Sequence, residues 1–81
     1  MNDRLTVTFH NLYLGGWRKQ DLFYPQEVTD WQVHMVSNID GTWELTLQAE
    51  DIIIRPGYVL VSNGRRELPF AKSDYNSIEI H

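Results

Sequence analysis

Two dipeptides, Asp40-Gly41 and Asn63-Gly64, constrain the fold of this chain more than any other feature of its sequence. Asp, Asn and Gly are the residues that most readily adopt the positive φ angles of tight hairpin turns. Apolar and polar side chains alternate around both dipeptides, most clearly over residues 43–49. Alternation with a period of two is typical of a strand that buries one face. The sequence therefore predicts two antiparallel hairpins that share an apolar core.

The first hairpin is predicted to join a strand within residues 27–37 to the strand at residues 43–49, through a turn within residues 37–41. The alternation places Trp31 and Trp43 on the same apolar face. Since the two rings lie near opposite ends of the hairpin, we expect both to brace the core rather than to stack on each other.

The second hairpin is predicted to pair residues 58–62 with residues 65–70. Asn63-Gly64 is the preferred dipeptide of a two-residue type I′ turn, in which both residues adopt positive φ. Such a turn sets Val59 opposite Leu68 on one face of the sheet. The register of this hairpin thus follows from the predicted turn type.

Three further extended segments are visible in the sequence. Residues 5–14 begin as an alternating strand and end at Gly15-Gly16, a pair that does not sustain a strand. The run Ile52-Ile53-Ile54 is continuously apolar, so we expect it to be buried on both faces and to end in a type II turn at residues 55–57. Residues 78–80 form a last predicted strand.

Six to seven short strands separated by turns predict an all-β fold, either a small antiparallel barrel or a two-sheet sandwich. A chain of 81 residues has room for one core, so we expect a single domain that spans residues 1–81. The segment at residues 17–29 shows neither clean alternation nor a helical stripe, and it contains Pro25. We expect a structured loop there, with at most one short helical turn.

Composition excludes several classes of function. Cysteine is absent, which rules out disulfides and thiolate metal ligands and favours an intracellular, cytoplasmic location. The formal net charge is -4, and nucleic acid is disfavoured as a partner because phosphate binding needs several converging cations. No apolar run approaches the roughly 20 residues that span a bilayer, and the first residues lack the pattern of a signal peptide, so we expect no membrane association.

The sequence holds no recognisable catalytic or cofactor-binding motif. Nucleophile elbows, Walker loops and dinucleotide fingerprints are absent, and every glycine falls at a predicted turn. His10 and His34 lie on the polar faces of two predicted strands, as two unrelated surface residues without the spacing of zinc ligands. We therefore expect a non-enzymatic protein with no catalytic residues, no metal and no cofactor.

The candidate functional surface is an aromatic loop at residues 17–25. This polar loop carries the large rings of Trp17, Phe23 and Tyr24, and Arg18 directly follows the first of them. Exposed aromatic residues beside arginine are enriched at the hot spots of protein interfaces, and loops on rigid scaffolds often carry binding residues. Alternatively, the loop folds back over one end of the core, because so small a domain needs its large apolar groups inside.

The main functional hypothesis is therefore a protein-binding module that contacts a protein partner through Trp17, Arg18, Phe23 and Tyr24. It would act as a small inhibitor, an adaptor or a subunit of a larger assembly, and a phage-derived accessory protein is one form it could take. A carbohydrate-binding β-sandwich is the alternative, because exposed rings also stack on sugars. An OB- or SH3-like barrel that binds single-stranded nucleic acid ranks third because of the acidic charge. A homodimer is slightly favoured over a monomer, since open sheets leave strand edges unpaired.

Overall fold

The computed structural model describes residues 4–81, so the first three residues of the predicted 1–81 domain lie outside the described part of the chain. The elements in chain order are β1 (Leu5–Leu12), α1 (Lys19–Leu22), α2 (Pro25–Asp30), β2 (His34–Ser37), β3 (Trp43–Ala49), β4 (Asp51–Ile54), β5 (Tyr58–Ser62), β6 (Glu67–Ala71), a 3₁₀ turn (Lys72–Asp74) and β7 (Ser77–Ile80). The predicted all-β class is confirmed.

The strands form a four-stranded sheet in the order β2-β3-β1-β7 and a three-stranded sheet in the order β4-β5-β6. Every pairing within them is antiparallel. The inner faces of the two sheets meet at Phe9 of β1 and Phe70 of β6, whose ring centroids are 4.4 Å apart. Of the two architectures that the sequence allows, the described residues form the two-sheet sandwich.

The core lies between the two sheets and extends under the helical segment. Apolar side chains from alternate positions of the inner strands supply most of it, which is the expected result of strands with one buried face. The buried members are Val7, Phe9, Leu12, Phe23, Trp31, Leu45, Leu47, Ala49, Val59, Val61, Leu68 and Phe70. Removing this apolar surface from water is the main favourable term in folding.

The hairpin predicted at Asp40-Gly41 is confirmed. β2 and β3 pair with Ser37 opposite Trp43, and Gly41 in the loop between them has a φ of 87°. β2 is shorter than predicted, because the chain that precedes it is helical. Trp31 therefore lies at the C-terminal end of α2 and not on a strand, although its side chain is fully buried as expected.

The second hairpin is also confirmed, but with a different register. Val59 lies opposite Phe70 and not opposite Leu68, so residues 63–66 connect the two strands. The shift relative to the predicted register is two residues along β6. Because side chains alternate with a period of two, the same residues of both strands still face the core.

The chemistry of Asn63 explains the longer turn. A type I′ turn requires positive φ at both central residues, and Gly64 has it, at 88°, whereas Asn63 does not. The Asn63 side chain is instead buried, and its Oδ1 accepts the backbone N–H groups of Arg65 and Arg66 at 3.0 and 2.9 Å. These side-chain hydrogen bonds stabilise a wider connection than the dipeptide alone predicts.

The segment at residues 17–29 differs from the prediction, because it forms two short helices where at most one helical turn is expected. Pro25 occupies the start of α2, where its fixed φ suits a helix and its missing N–H is not needed. An acidic side chain in the first turn of each helix accepts the N–H of the residue just before that helix. Asp21 accepts the N–H of Arg18 at 2.8 Å, and Glu27 accepts the N–H of Tyr24 at 2.9 Å. Proline thus marks a helix start here and not a helix break.

The run Ile52-Ile53-Ile54 is not buried on both faces. It forms β4, an edge strand that pairs with β5 on one side. Ile54 is consequently 59% exposed. The turn that follows is not of type II either, because Gly57 lacks the positive φ that this turn requires.

A β-bulge in β1 changes the phase of its alternation. Phe9 lies opposite Leu45, but Leu12 lies opposite Trp43, so two residues of β1 face a single residue of β3. The bulged residue Asn11 has a φ of 55°. As a result, Leu12 faces the core although it stands an odd number of positions after Phe9.

Candidate functional site

An apolar cleft of about 420 Å³ opens between the end of β1, helix α1 and β6. Leu12 and Phe70 form its floor and are almost fully buried. Tyr13 and Trp17 stand at its rim, with 62% and 59% of their surfaces exposed. The other residues that line it are Leu14, Gly15, Gly16, Leu22, Pro69, Ala71 and Asp74. The cleft therefore combines a buried apolar floor with two large, solvent-exposed aromatic rings.

A tight turn at Gly15-Gly16 positions the two rings. The N–H of Trp17 donates to the carbonyl of Leu14 at 3.0 Å, and Gly15 adopts a φ of 65° within this turn. On the other side of the turn, the N–H of Tyr13 donates to the carbonyl of Asp74 at 2.7 Å. Backbone hydrogen bonds thus hold the chain on both sides of the glycine pair.

The chemistry of the cleft suits an apolar ligand group. Among the described residues that line it, Asp74 is the one that carries a charge, and most of the others are aliphatic or aromatic. Its volume lies within the range of roughly 300 to 1,000 Å³ that is typical of ligand pockets. A large apolar side chain in the cleft would bury part of its own surface and part of the exposed Tyr13 and Trp17 rings, and the removal of apolar surface from water is the driving force for binding in such sites.

The structure separates the residues predicted as the contact surface. Trp17 lies at the rim of the cleft, and Arg18, which directly precedes α1, is exposed. Phe23, in contrast, is 1% exposed and packs edge-on against Trp31, with ring centroids 6.3 Å apart. Phe23 therefore belongs to the core and not to the predicted surface. The aromatic loop both covers one end of the core and leaves large rings outside.

Tyr24 lies in a second, smaller depression, and Leu22 lines both this depression and the cleft. The Tyr24 ring is 64% exposed, and the guanidinium of Arg66 lies 5.6 Å from its centroid. The same guanidinium is 2.5 Å from Oε1 of Glu27, an oxygen that also accepts the N–H of Tyr24. Arg66 thus fastens the β5–β6 turn to α2 through a charge-assisted hydrogen bond and a cation–π contact.

Outside the cleft, titratable side chains converge on His10. Its Nδ1 lies 2.5 Å from Oε1 of Glu44 on β3, and its Nε2 contacts Glu79 on β7. The second oxygen of Glu44 accepts the N–H of Asn11 at 2.7 Å and the side-chain amide of Asn38 at 2.9 Å. His10 therefore links the three strands β3, β1 and β7, whereas its place on the polar face of β1 predicts only a surface residue.

These hydrogen bonds shift the pKa values of the cluster. Asn38, Asn11 and His10 donate to Glu44 and lower the pKa of its carboxyl group to about 2. Glu44 and then Glu79 raise the pKa of His10 above 6.5, and His10 in turn lowers the pKa of Glu79. These shifts favour the charged forms, an imidazolium between two carboxylates, because hydrogen bonding to charged groups outweighs desolvation.

The remaining chemical groups are dispersed. His34 does not approach His10, because β3 separates their strands. Within residues 4–81, no group of His, Asp and Glu side chains is arranged to hold a metal ion. Of the helices in this part of the chain, none is long and apolar enough to cross a membrane.

Sequence reasoning finds Trp17 but not the cleft that it borders. The spacing of Tyr13 and Trp17 about a Gly-Gly pair is the signal that could have indicated a shared site, since a tight turn keeps its flanking residues close. Pro69, Phe70 and Asp74 carry no such signal. They reach the cleft because the two sheets pack together, and packing between distant segments is not encoded in local spacing.

No protein-family model, no curated protein and no solved structure matches this chain. A two-sheet fold of this kind hosts many unrelated functions and by itself indicates none of them.

Proposed function

We propose that this chain is a non-enzymatic protein-binding module and that it binds its partner through the apolar cleft. The observation that carries the proposal is the exposure of Tyr13 and Trp17, at 62% and 59%, directly beside an apolar floor. A partner that covers such large exposed rings removes apolar surface from water, which lowers the free energy of the complex. Trp and Tyr are also the residues most enriched at the hot spots of protein interfaces.

The lining of the cleft supports a partner of defined chemistry. Its apolar floor accepts a bulky aliphatic or aromatic side chain as an anchor. Asp74 places a negative charge in the lining, so it favours a Lys or Arg next to that anchor in the partner. A charge at the rim contributes more to specificity and association rate than to affinity. The proposed ligand is therefore a protein segment with a large apolar side chain beside a basic one.

The contact surface in this proposal is a revision of the set predicted from the sequence. Trp17 remains its central residue, Arg18 follows Trp17 in the chain, and Tyr13 is added. Tyr24 lies in the smaller depression that shares Leu22 with the cleft. The proposal covers a small inhibitor, an adaptor or a subunit of a larger assembly, including a phage-derived one, because each of these roles begins with binding to another protein. We place that step inside the cell, in the cytoplasm, as the absence of cysteine suggests.

The two alternative functions draw on some of the same residues. A carbohydrate site needs amide and acidic side chains around its aromatic rings to bind the hydroxyl groups, and within residues 4–81 the cleft lining offers Asp74 alone. A single-stranded nucleic-acid site would combine Tyr13 and Trp17 with Arg65-Arg66. Arg66 is paired with Glu27, however, which weakens the support for that site.

A random peptide library selected on the immobilised protein tests the proposal. We expect enriched peptides to share an aromatic or long aliphatic residue next to Lys or Arg. Trp17→Ala and Tyr13→Ala should each weaken binding of the synthesised consensus peptide by about tenfold or more, as measured by calorimetry. Ile39→Ser is the matched control, because Ile39 is an exposed apolar residue in the β2–β3 loop, outside the cleft lining.

Several outcomes would count against this function. A library without enriched sequences, or peptides that bind Trp17→Ala as well as the unchanged protein, would contradict the cleft as a peptide site. Binding on a glycan array, or a gel shift with a single-stranded oligonucleotide, that is lost in Trp17→Ala would favour one of the alternatives instead. Melting curves of each variant show whether a loss of binding reflects a loss of fold.

A further inference from the structure

The three-stranded sheet has two outer edges, and they differ in what they offer to another strand. The N–H of Asn63 donates to the carbonyl of Arg66, so these two residues form a hydrogen-bonded pair at the start of the β5–β6 ladder. Hydrogen-bonded and non-hydrogen-bonded pairs alternate from there, and Pro69 falls in a non-hydrogen-bonded pair, with its backbone N and C=O directed to the outer edge of β6. Proline has no N–H to donate and is a common device for protecting an edge strand. The middle of the β6 edge is therefore blocked.

The β4 edge has no proline within it. The bond from the N–H of Arg55 to the carbonyl of Tyr58 sets the alternation of the β4–β5 ladder. Ile53 consequently bonds to β5, whereas Ile52 and Ile54 turn their N–H and C=O groups to the outer edge. The side chain of Ile54 is 59% exposed beside them. This edge thus offers hydrogen-bonding groups and apolar surface together, a combination that favours pairing with another strand.

The sequence of this edge is complementary to itself in charge. Asp51 precedes the three isoleucines and Arg55 follows them. When a second copy of the strand runs antiparallel to the first, with Ile53 opposite Ile53, each Asp51 faces an Arg55. Both charged side chains are exposed and share one face of the sheet with Ile53, because they stand two positions from it.

We propose that two copies of this chain associate by antiparallel pairing of their β4 edges about a two-fold axis at Ile53. In this register Ile52 of one copy and Ile54 of the other exchange both backbone hydrogen bonds, which agrees with the groups that face the edge. On each side of the axis, Asp51 of one copy lies opposite Arg55 of the other in a non-hydrogen-bonded pair, the kind of pair whose side chains lie closest together. The three-stranded sheets of the two copies become one continuous sheet.

Neighbouring registers lack this complementarity. A register centred on Ile54 sets Pro56, which has no N–H, opposite Ile52. A register centred on Ile52 sets Asp51 opposite Ile53 and leaves Arg55 without an acidic partner. The charges and the proline therefore both select the register centred on Ile53.

Asp51 protects the same edge in the single copy. Its Oδ1 accepts the N–H of Ile52 at 2.9 Å, which occupies one of the donors that face outwards. When two copies pair, the Asp51 carboxylate gives up the N–H of Ile52 and accepts the guanidinium of Arg55 from the other copy. This new hydrogen bond is charge-assisted on both sides and is the stronger of the two. The N–H of Ile52 then donates to the second copy of the chain.

A charge swap tests the proposal, with the oligomeric state of the full chain measured by sedimentation velocity over a range of concentrations. We expect the unchanged chain to dimerise. Asp51→Arg and Arg55→Asp each set like charges opposite one another and should weaken the dimer by about tenfold or more. The double variant Asp51→Arg/Arg55→Asp restores opposite charges and should dimerise again. The two single variants, when mixed, should form a heterodimer.

Ile54→Pro tests the backbone pairing independently of charge. The N–H of Ile54 faces the outer edge, so its removal leaves the β4–β5 ladder intact and should abolish the dimer without unfolding the chain, as melting curves can verify. Trp17→Ala should leave the dimer unchanged, which separates this interface from the proposed function of the cleft. A monomer at every concentration, or a dimer that is insensitive to both the charge swap and Ile54→Pro, would overturn the proposal.

Discussion

The backbone N–H of Asn11 donates to Oε2 of Glu44 at 2.7 Å, at the point where β1 and β3 depart from regular register. The extra residue in β1 turns Leu12 into the core and Tyr13 out to the rim of the cleft. Strict alternation from Phe9 would do the opposite, because a shift of one residue exchanges the two faces of a strand. The hydrogen bond to Glu44 therefore stabilises the strand phase on which the cleft depends.

Substitutions of Asn11 should reveal the strain at this bulge. Asn11 adopts a φ of 55°, where glycine is unstrained and a β-branched residue is strongly disfavoured. We expect Asn11→Val to lower the free energy of unfolding by about 2 kcal/mol relative to Asn11→Gly. Both variants lose the side-chain hydrogen bond to Thr42, so denaturation curves of the two isolate the backbone effect. Equal stabilities would contradict the bulge geometry.

Stability should depend on pH through the His10 cluster. The raised pKa of His10 favours its protonated form in the folded state, so this stabilisation is complete below pH 6.5 and is lost as pH rises through the raised value. The lowered pKa of Glu44 also stabilises the folded state, but with the opposite pH dependence. This contribution is present above pH 4.5 and is lost as pH falls towards 2. We expect the free energy of unfolding to be greatest between pH 4.5 and 6.5 in urea denaturation experiments.

A pair of histidine variants provides the control for this pH dependence. His10→Gln should abolish the loss of stability above pH 6.5, whereas His34→Gln should retain it, since His34 lies outside the cluster. An NMR titration of His10 in the folded chain measures its pKa directly. A value at or below 6.5 would contradict the two hydrogen bonds to carboxylates.

The two ends of the aromatic loop should respond differently to truncation. Phe23 is 1% exposed, so Phe23→Ala is expected to lower the free energy of unfolding by about 3 kcal/mol or more. Trp17 is 59% exposed, and Trp17→Ala should cost no more than about 1 kcal/mol. Chemical denaturation measures both, and Phe23→Leu provides a milder variant that stays folded. An equal loss in the two alanine variants would assign Trp17 to the core and weaken the proposed function.

The β5–β6 turn should not tolerate a side chain at Gly64. This residue has a φ of 88°, and an added Cβ would also meet the Glu50 carboxylate. We expect Gly64→Ala to lower the free energy of unfolding by about 1 kcal/mol. Gly16→Ala is the matched control, because within residues 4–81 no heavy atom beyond its chain neighbours lies within 4 Å of a Cβ added there and its φ is not positive. Similar thermal unfolding of both variants would argue against the turn described above.

Local patterns in the sequence account for much of this fold and for part of the site. Alternation and turn propensity act between near neighbours, which is why the hairpin at Asp40-Gly41 and the buried face of β3 are predicted correctly. The same reasoning fails where a distant group intervenes. The side chain of Asn63 bonds to the backbone of Arg65 and Arg66 and makes the second turn longer than predicted. The apolar run Ile52-Ile53-Ile54 lies at the edge of its sheet, because it pairs with another strand on one side and not on both.

The sequence by itself determined the all-β class, the two reversals and the presence of large rings near residue 17, because these follow from side-chain identity and backbone preference over a few residues. Tertiary structure alone decided that Phe23 is buried, that Trp17 borders a cleft with Phe70, and that His10 lies between two carboxylates. The physical reason is that burial and pKa depend on which remote segments pack together. That packing is driven by the apolar surface that the whole chain removes from water, and no single segment specifies it.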